Sequence, residues 1–195
     1  MNKNLKEFLK LSIYLLVIVC LAYLFVQFVG QRTQVNGRSM EPTLHDGDNL
    51  IVDKLSYRFK DPERFDIIVF SVEKADEEYF IKRIIGLPGE TVYIDSTGVI
   101  YIKESGAEDY TELDDIDGLD VILEENIGRA GKEIELGEDE YFVLGDNRNN
   151  STDSRSLQTV SKQNNTLLVG NVSSDRIIGK AILRIYPFSD FGGIE

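Results

Sequence analysis

The sequence has one cysteine, one histidine, four prolines and no tryptophan in 195 residues. A single thiol excludes an intrachain disulfide framework and any cysteine-built metal cluster. One histidine leaves nothing for a histidine-rich metal site, and a histidine-based triad would have only His45 to draw on. Few prolines, with sixteen glycines in no repeat, exclude collagen-like and proline-rich chains. Basic charge is also scarce. The 21 Lys and Arg against 34 Asp and Glu give a net charge of −13, which argues against nucleic acid as a partner. The 42% hydrophobic and 28% charged residues exclude a largely disordered chain, and the length is one domain's worth with a small appendage.

The acidity is unevenly placed. Residues 1–30 carry Lys3, Lys6 and Lys10 against Glu7, a net of +2, so the remaining 165 residues hold 18 basic and 33 acidic side chains. Between basic head and acidic body runs Leu11–Val29, nineteen residues without a charge, with Cys20 as a small apolar-like member. As a helix this run would span about 28 Å, close to the roughly 30 Å hydrocarbon core of a bilayer. A buried helix of a soluble protein rarely stays apolar all round over such a length. A cleaved signal peptide would have a shorter apolar stretch and a small-x-small site beyond it, which Phe28-Val29-Gly30-Gln31-Arg32 does not offer. The expectation is an uncleaved single-pass anchor in the plasma membrane. The lysines before it place residues 1–10 in the cytoplasm and residues 30–195 outside, an asymmetry softened by Arg32 and Arg38.

Beyond residue 30 the chain reads as β. Short β-branched or aromatic runs occur at Asn49–Asp53, Phe65–Ser71, Tyr79–Ile85, Thr91–Ile94, Val99–Ile102, Tyr141–Leu144 and Ile177–Tyr186, bounded by glycine-containing turns. The one shift in composition is Glu104–Glu125, with ten carboxylates and no base, inside a variable region of about 91–140. With Gly118 as the turn glycine of a calcium loop, Asp115, Asp117 and Glu124 would fall at ligand places. Leu113 would occupy the first place, however, and no helices flank the loop, so the segment reads as a solvated acidic excursion.

Chemistry concentrates in three stretches. The first is Gly37-Arg38-Ser39-Met40-Glu41-Pro42-Thr43-Leu44. Alone, its serine is an ordinary turn residue. The second is Ile81-Lys82-Arg83-Ile84-Ile85-Gly86-Leu87-Pro88-Gly89-Glu90, where strand alternation puts Lys82 on one face with Phe80 and Ile84. Alone, that lysine would snorkel from a strand edge to water; facing the core, it would lose charge to desolvation. The third runs from Gly145 to Arg155, GDNRNNSTDSR, and alone is a loop pinned by Asp–Arg pairs. Together they say more. A serine nucleophile needs a base, and a lysine kept neutral by burial can take the place of histidine.

In GRSMEPTL, RFDIIVF, IKRIIGLPGE, GDNRNNSTDSR and IIGKAILRIYPF, the sequence from the apolar span to the C-terminus resembles a bacterial type I signal peptidase of the Gram-positive kind. The resemblance implies an antiparallel, barrel-like β catalytic domain behind one transmembrane helix. It implies a serine endopeptidase that removes signal peptides from preproteins after a small-x-small site, without metal or cofactor. Its partners would be preprotein signal peptides, the bilayer and, indirectly, the export machinery, with the chain acting as a monomer. Ser39 matches the nucleophile, Lys82 the general base, and Met40 the apolar neighbour at the membrane-proximal substrate site. Ser151 matches the hydroxyl that orients the lysine amine, and Asp146, Arg148, Asp153 and Arg155 the polar support of the loop. The chain departs from the pattern at Gly37, where some members place a hydroxyl in the oxyanion hole; a backbone group or water would then supply the second donor. The link Leu157–Val169 is also longer than usual. A non-cutting peptide- or wall-binding β-domain is the rival reading, disfavoured by the intact Ser39 and Lys82.

Overall fold

The computed structural model describes residues 3–28, 30–72, 79–156, 160–162, 165–167 and 169–194. Helix α1 covers Lys3–Phe28. The expected anchor is therefore helical from Leu11 to Phe28, while Val29 lies outside the described residues. Leu11, Ile13, Leu15, Leu16 and Ile18 are each more than half exposed. Among the described residues no helix is long and apolar enough to cross a membrane.

Fourteen strands follow among the described residues. They are β1 (Gly30–Gln34), β2 (Asn49–Asp53), β3 (Ile67–Ser71), β4 (Tyr79–Gly86), β5 (Thr91–Ile94), β6 (Ile100–Lys103), β7 (Thr111–Glu112), β8 (Ile134–Glu135), β9 (Glu140–Leu144), β10 (Val160–Lys162), β11 (Asn165–Leu167), β12 (Val172–Ser173), β13 (Ile177–Tyr186) and β14 (Gly192–Gly193). Every recorded pairing is antiparallel. The main sheet runs β1-β2-β13-β3-β4-β9-β12 with β14 beside β13, and no pairing among the described residues closes it into a barrel. All seven runs expected from β-branched and aromatic content are strands, three of them with the predicted bounds. The strands without such a signal are short or polar. β1 reads GQRTQ and is held by backbone pairing to β2, from Gly30↔Asp53 to Gln34↔Asn49, and by the Arg32 guanidinium donating to Asn49 Oδ1. The long link after the third stretch lies partly outside the described residues, and its described parts pair as the hairpin β10–β11.

The acidic region belongs to a second sheet, ordered β7-β6-β5-β8. Its inward residues Val92, Ile94, Ile100 and Ile102 share one core with Ile85, Phe142 and Leu144 of the main sheet. The opposite face of the main sheet buries Ile68, Phe70, Ile84 and Val143. A third cluster gathers Val35, Met40, Leu44, Leu50, Ile67 and Ala181, tying the loop after β1 to the sheet. These apolar anchors fix the loop that carries Ser39.

Candidate functional site

Lys82 lies in the middle of β4, opposite Ile68 of β3. Alternation places it on the Phe80 and Ile84 face, and the ammonium lies 5.5 Å from the centre of the Phe80 ring. The residue is 3% exposed. Its Nζ stands 2.6 Å from Ser39 Oγ and donates to the Ile81 carbonyl at 2.8 Å. Among the described residues no carboxylate forms an ion pair with it. Burial pushes the amine down to about 8, against a smaller upward pull from Asp153 and Asp146. At that value about a tenth of the side chain is neutral at pH 7, rather than less than a thousandth.

Ser39 sits in a turn whose geometry is set on both sides. Gly37 has φ of +95°, a conformation glycine adopts without penalty. Its N–H donates to Asp46 Oδ1 at 2.7 Å. The place where some family members carry a hydroxyl is thus filled by a glycine whose own N–H is engaged by Asp46. The Ser39 N–H makes no hydrogen bond among the described residues and is free to serve. Met40, read as an apolar neighbour of the substrate site, lies in the core beneath the turn. It is 1% exposed and packs with Leu44 and Leu50. Its side chain anchors the turn to the sheet from below.

The loop from Gly145 to Arg155 closes the other side. Asn147 donates its N–H to Ser39 O at 3.1 Å and its side-chain amide to Arg38 O at 3.0 Å. Gly145 is required by close approach: a Cβ there would lie 2.2 Å from Ser151 Oγ and 2.4 Å from Ser39 O. Ser151 thus stands beside the nucleophile, but its buried hydroxyl has no hydrogen-bond partner. The expected bond to the Lys82 amine is not made, and the amine contacts Ser39 and Ile81 instead. The four charged residues of the loop separate into different partnerships. Asp146 pairs with Arg83 through two bonds of 2.9 and 2.7 Å, both side chains being almost fully buried. Asp153 holds Arg155 through 2.9 and 2.8 Å bonds and accepts the Gly145 N–H. Arg148 pairs with Asp115 of the acidic segment, one bond measuring 2.8 Å. That corrects the reading of the segment as wholly solvated.

Ser39 and Lys82 open into a cleft of about 820 Å³ whose walls include Thr33, Val35, Tyr79 and Thr152. His45 is exposed and lies outside it. Among the described residues no group of three His, Cys, Asp or Glu side chains could hold a metal ion. The sequence assigns no role to Arg83 or Asn147, and Asp115 enters it only at a ligand place of a calcium loop whose first place is Leu113. Arg83 carried a signal, being a second basic residue on a strand whose neighbours are all apolar. For Asn147 and Asp115 nothing local distinguishes them from other loop polar residues.

Comparison with known proteins bears on this arrangement. Residues 5–186 match the family model described as signal peptidase, peptidase S26. The chain is 35% identical over 194 residues to probable signal peptidase I-2 of Synechocystis, covering 94% of this chain and 76% of that one. It is 32% identical over 191 residues to signal peptidase I T of Bacillus subtilis, covering 97% and 91%. A crystal structure of a signal peptidase I from Enterococcus faecalis is similar at 30% identity and a TM-score of 0.41, covering 62% of this chain and 97% of that one.

Proposed function

The chain belongs to the signal peptidase family, peptidase S26, and is a signal peptidase I by that membership; we propose that it cuts by a Ser39 nucleophile and a Lys82 general base. The observation that carries this reading is the 2.6 Å contact between a half-buried serine and a buried lysine that has no carboxylate partner among the described residues. The neutral amine takes the Ser39 proton as Oγ attacks the scissile carbonyl. The developing oxyanion meets the Ser39 N–H. The protonated amine then gives its proton to the leaving nitrogen, so the amine is neutral again when the acyl-enzyme forms. A water that loses a proton to the same amine attacks the ester, and Ser39 recovers its proton as the acid departs.

The resemblance adds a small-x-small site on a preprotein and a membrane anchor. The anchor is supported by the uncharged run Leu11–Val29 and by the exposed apolar side chains of α1. A tether would confine enzyme and signal peptide to one surface and raise their effective concentration without any further contact. The three lysines before the run favour a cytoplasmic N-terminus with the catalytic region outside. The deciding experiment is cleavage of a peptide bearing an Ala-x-Ala site by the detergent-solubilised full chain, with Ser39→Ala as the blank. Cleavage after the second alanine by the unsubstituted chain alone is expected. Equal cleavage by both would remove Ser39 as nucleophile.

A further inference from the structure

The loop from Gly145 to Arg155 touches Ser39 on one side and the acidic segment on the other. On the segment side the contacts are specific. Arg148 is 2% exposed, and Asp115, thirty-three residues earlier in the chain, engages both ends of its guanidinium. The Arg148 Nε has no hydrogen-bond partner, and Asp115 is the one carboxylate that forms an ion pair with this guanidinium among the described residues. Asn149, the next residue, binds the backbone of the segment in both senses. Its amide donates to Val121 O at 2.9 Å, and its carbonyl accepts from Leu123 N–H at 2.9 Å and from the Asn126 side chain at 3.2 Å. Arg155 closes the row by donating to Asn126 O at 3.0 Å.

Asn147, which grips both carbonyls flanking the nucleophile, immediately precedes Arg148 and Asn149. Three consecutive residues therefore join the acidic segment to Ser39, with no slack between them. We infer that the acidic segment is a buttress that sets the position of Ser39 against Lys82, with Asp115 and Asn149 as its positioning residues. Neither touches the reacting atoms. The physical argument is that a buried guanidinium deprived of its carboxylate must move towards water or find another acceptor. Either movement shifts Asn147, and a misplacement of a fraction of an ångström at a nucleophile is costly to rate. The walls of the cleft formed by β1 and β4 would stay where they are, so substrate binding would be little changed. The inference rests on the Ser39–Lys82 reading above.

The test is steady-state cleavage of the Ala-x-Ala peptide by the full chain in detergent. Asp115→Asn and Asn149→Ala should each lower kcat about tenfold or more, with KM within about twofold. Asp115→Glu should restore most of the loss. Asp117→Asn, which removes the same charge from an exposed place, should match the unsubstituted chain. Asp115→Asn added to Arg148→Gln should cost nothing beyond Arg148→Gln alone. A kcat within twofold of normal for Asp115→Asn, an effect confined to KM, or an equal loss in Asp117→Asn would each overturn the inference. Should Asp115→Asn fail to fold, Asn149→Ala, which keeps the ion pair, decides by the same reading. The unsubstituted chain is measured first against Ser39→Ala. No cleavage by either defeats the peptidase reading and this inference with it, whereas normal cleavage with indifferent variants defeats the inference alone.

Discussion

Lys82 and Arg83 are adjacent on β4 and almost equally buried, yet the two faces of the strand treat their charges in opposite ways. On the Arg83 face, Asp146 supplies two hydrogen bonds and the Phe65 carbonyl a third at 2.9 Å. That cation is kept. On the Lys82 face the neighbours are Phe80, a backbone carbonyl and a serine hydroxyl, and the amine falls to about 8. Burial alone therefore does not make a base; burial without a counter-ion does. The residue types suit the two roles. A guanidinium cannot be deprotonated and fits a carboxylate with two parallel bonds, while an ammonium releases its proton readily when desolvated.

The strongest way to break this contrast is to exchange the cations. Lys82→Arg keeps a positive charge but removes the titration, so turnover should fall about ten-thousandfold, as far as with Lys82→Ala or Ser39→Ala. The double substitution Ser39→Ala with Lys82→Ala should be little worse than either. Kinetics on the four proteins would decide, and substantial turnover in Lys82→Arg would end the general-base reading. On the other face the expected effect is on folding. Asp146→Ala leaves Arg83 buried without its carboxylate and should cost about 3–5 kcal/mol of stability, read from thermal or urea melts.

A third expectation concerns pH. The folded value of Lys82 lies below its ordinary value of 10.5, so between about pH 8 and 10.5 the folded chain holds fewer protons than the unfolded chain. Stability should then rise with pH through that window, by on the order of 3 kcal/mol, and Lys82→Met should abolish the rise. In kinetics the rate should climb to a plateau with a limb near pH 8. His45→Gln should leave that limb in place; if the limb moved with His45, the assignment to Lys82 would be lost. The smallest effect is expected at Ser151. Its hydroxyl makes no hydrogen bond in the structure, so Ser151→Ala should leave the melting temperature unchanged. Turnover should fall by no more than about tenfold, the worth of one neutral hydrogen bond formed only with substrate in place. A larger loss of turnover would show that Ser151 holds the lysine during the reaction.

The strands that position the site were readable because they are short runs of β-branched and aromatic residues, whose pattern depends only on near neighbours. β1 was not readable, since GQRTQ has no apolar alternation and becomes a strand only through pairing with β2. Ser39 and Lys82 were legible as types in a joint pattern, the lysine because alternation already put it among Phe80 and Ile84. Their 2.6 Å contact was not. That Met40 is core is something local sequence does not carry, because the cluster it joins comes from four separate segments.

The charges of the third stretch show the same division most plainly. That a loop dense in Asp and Arg would be held by ion pairs follows from composition, because buried charges must be compensated wherever they lie. Which aspartate meets which arginine is a matter of distance in space. Asp153 finds Arg155 two residues away, Asp146 finds Arg83 across sixty-three, and Arg148 finds Asp115 in a segment whose own sequence reads as solvated acid. The sequence by itself determined that a serine, a lysine and an Asp/Arg loop accompany a β domain. Only the tertiary structure decided which buried cation has no carboxylate partner among the described residues, since that depends on the relative placement of strands and loops far apart in the chain.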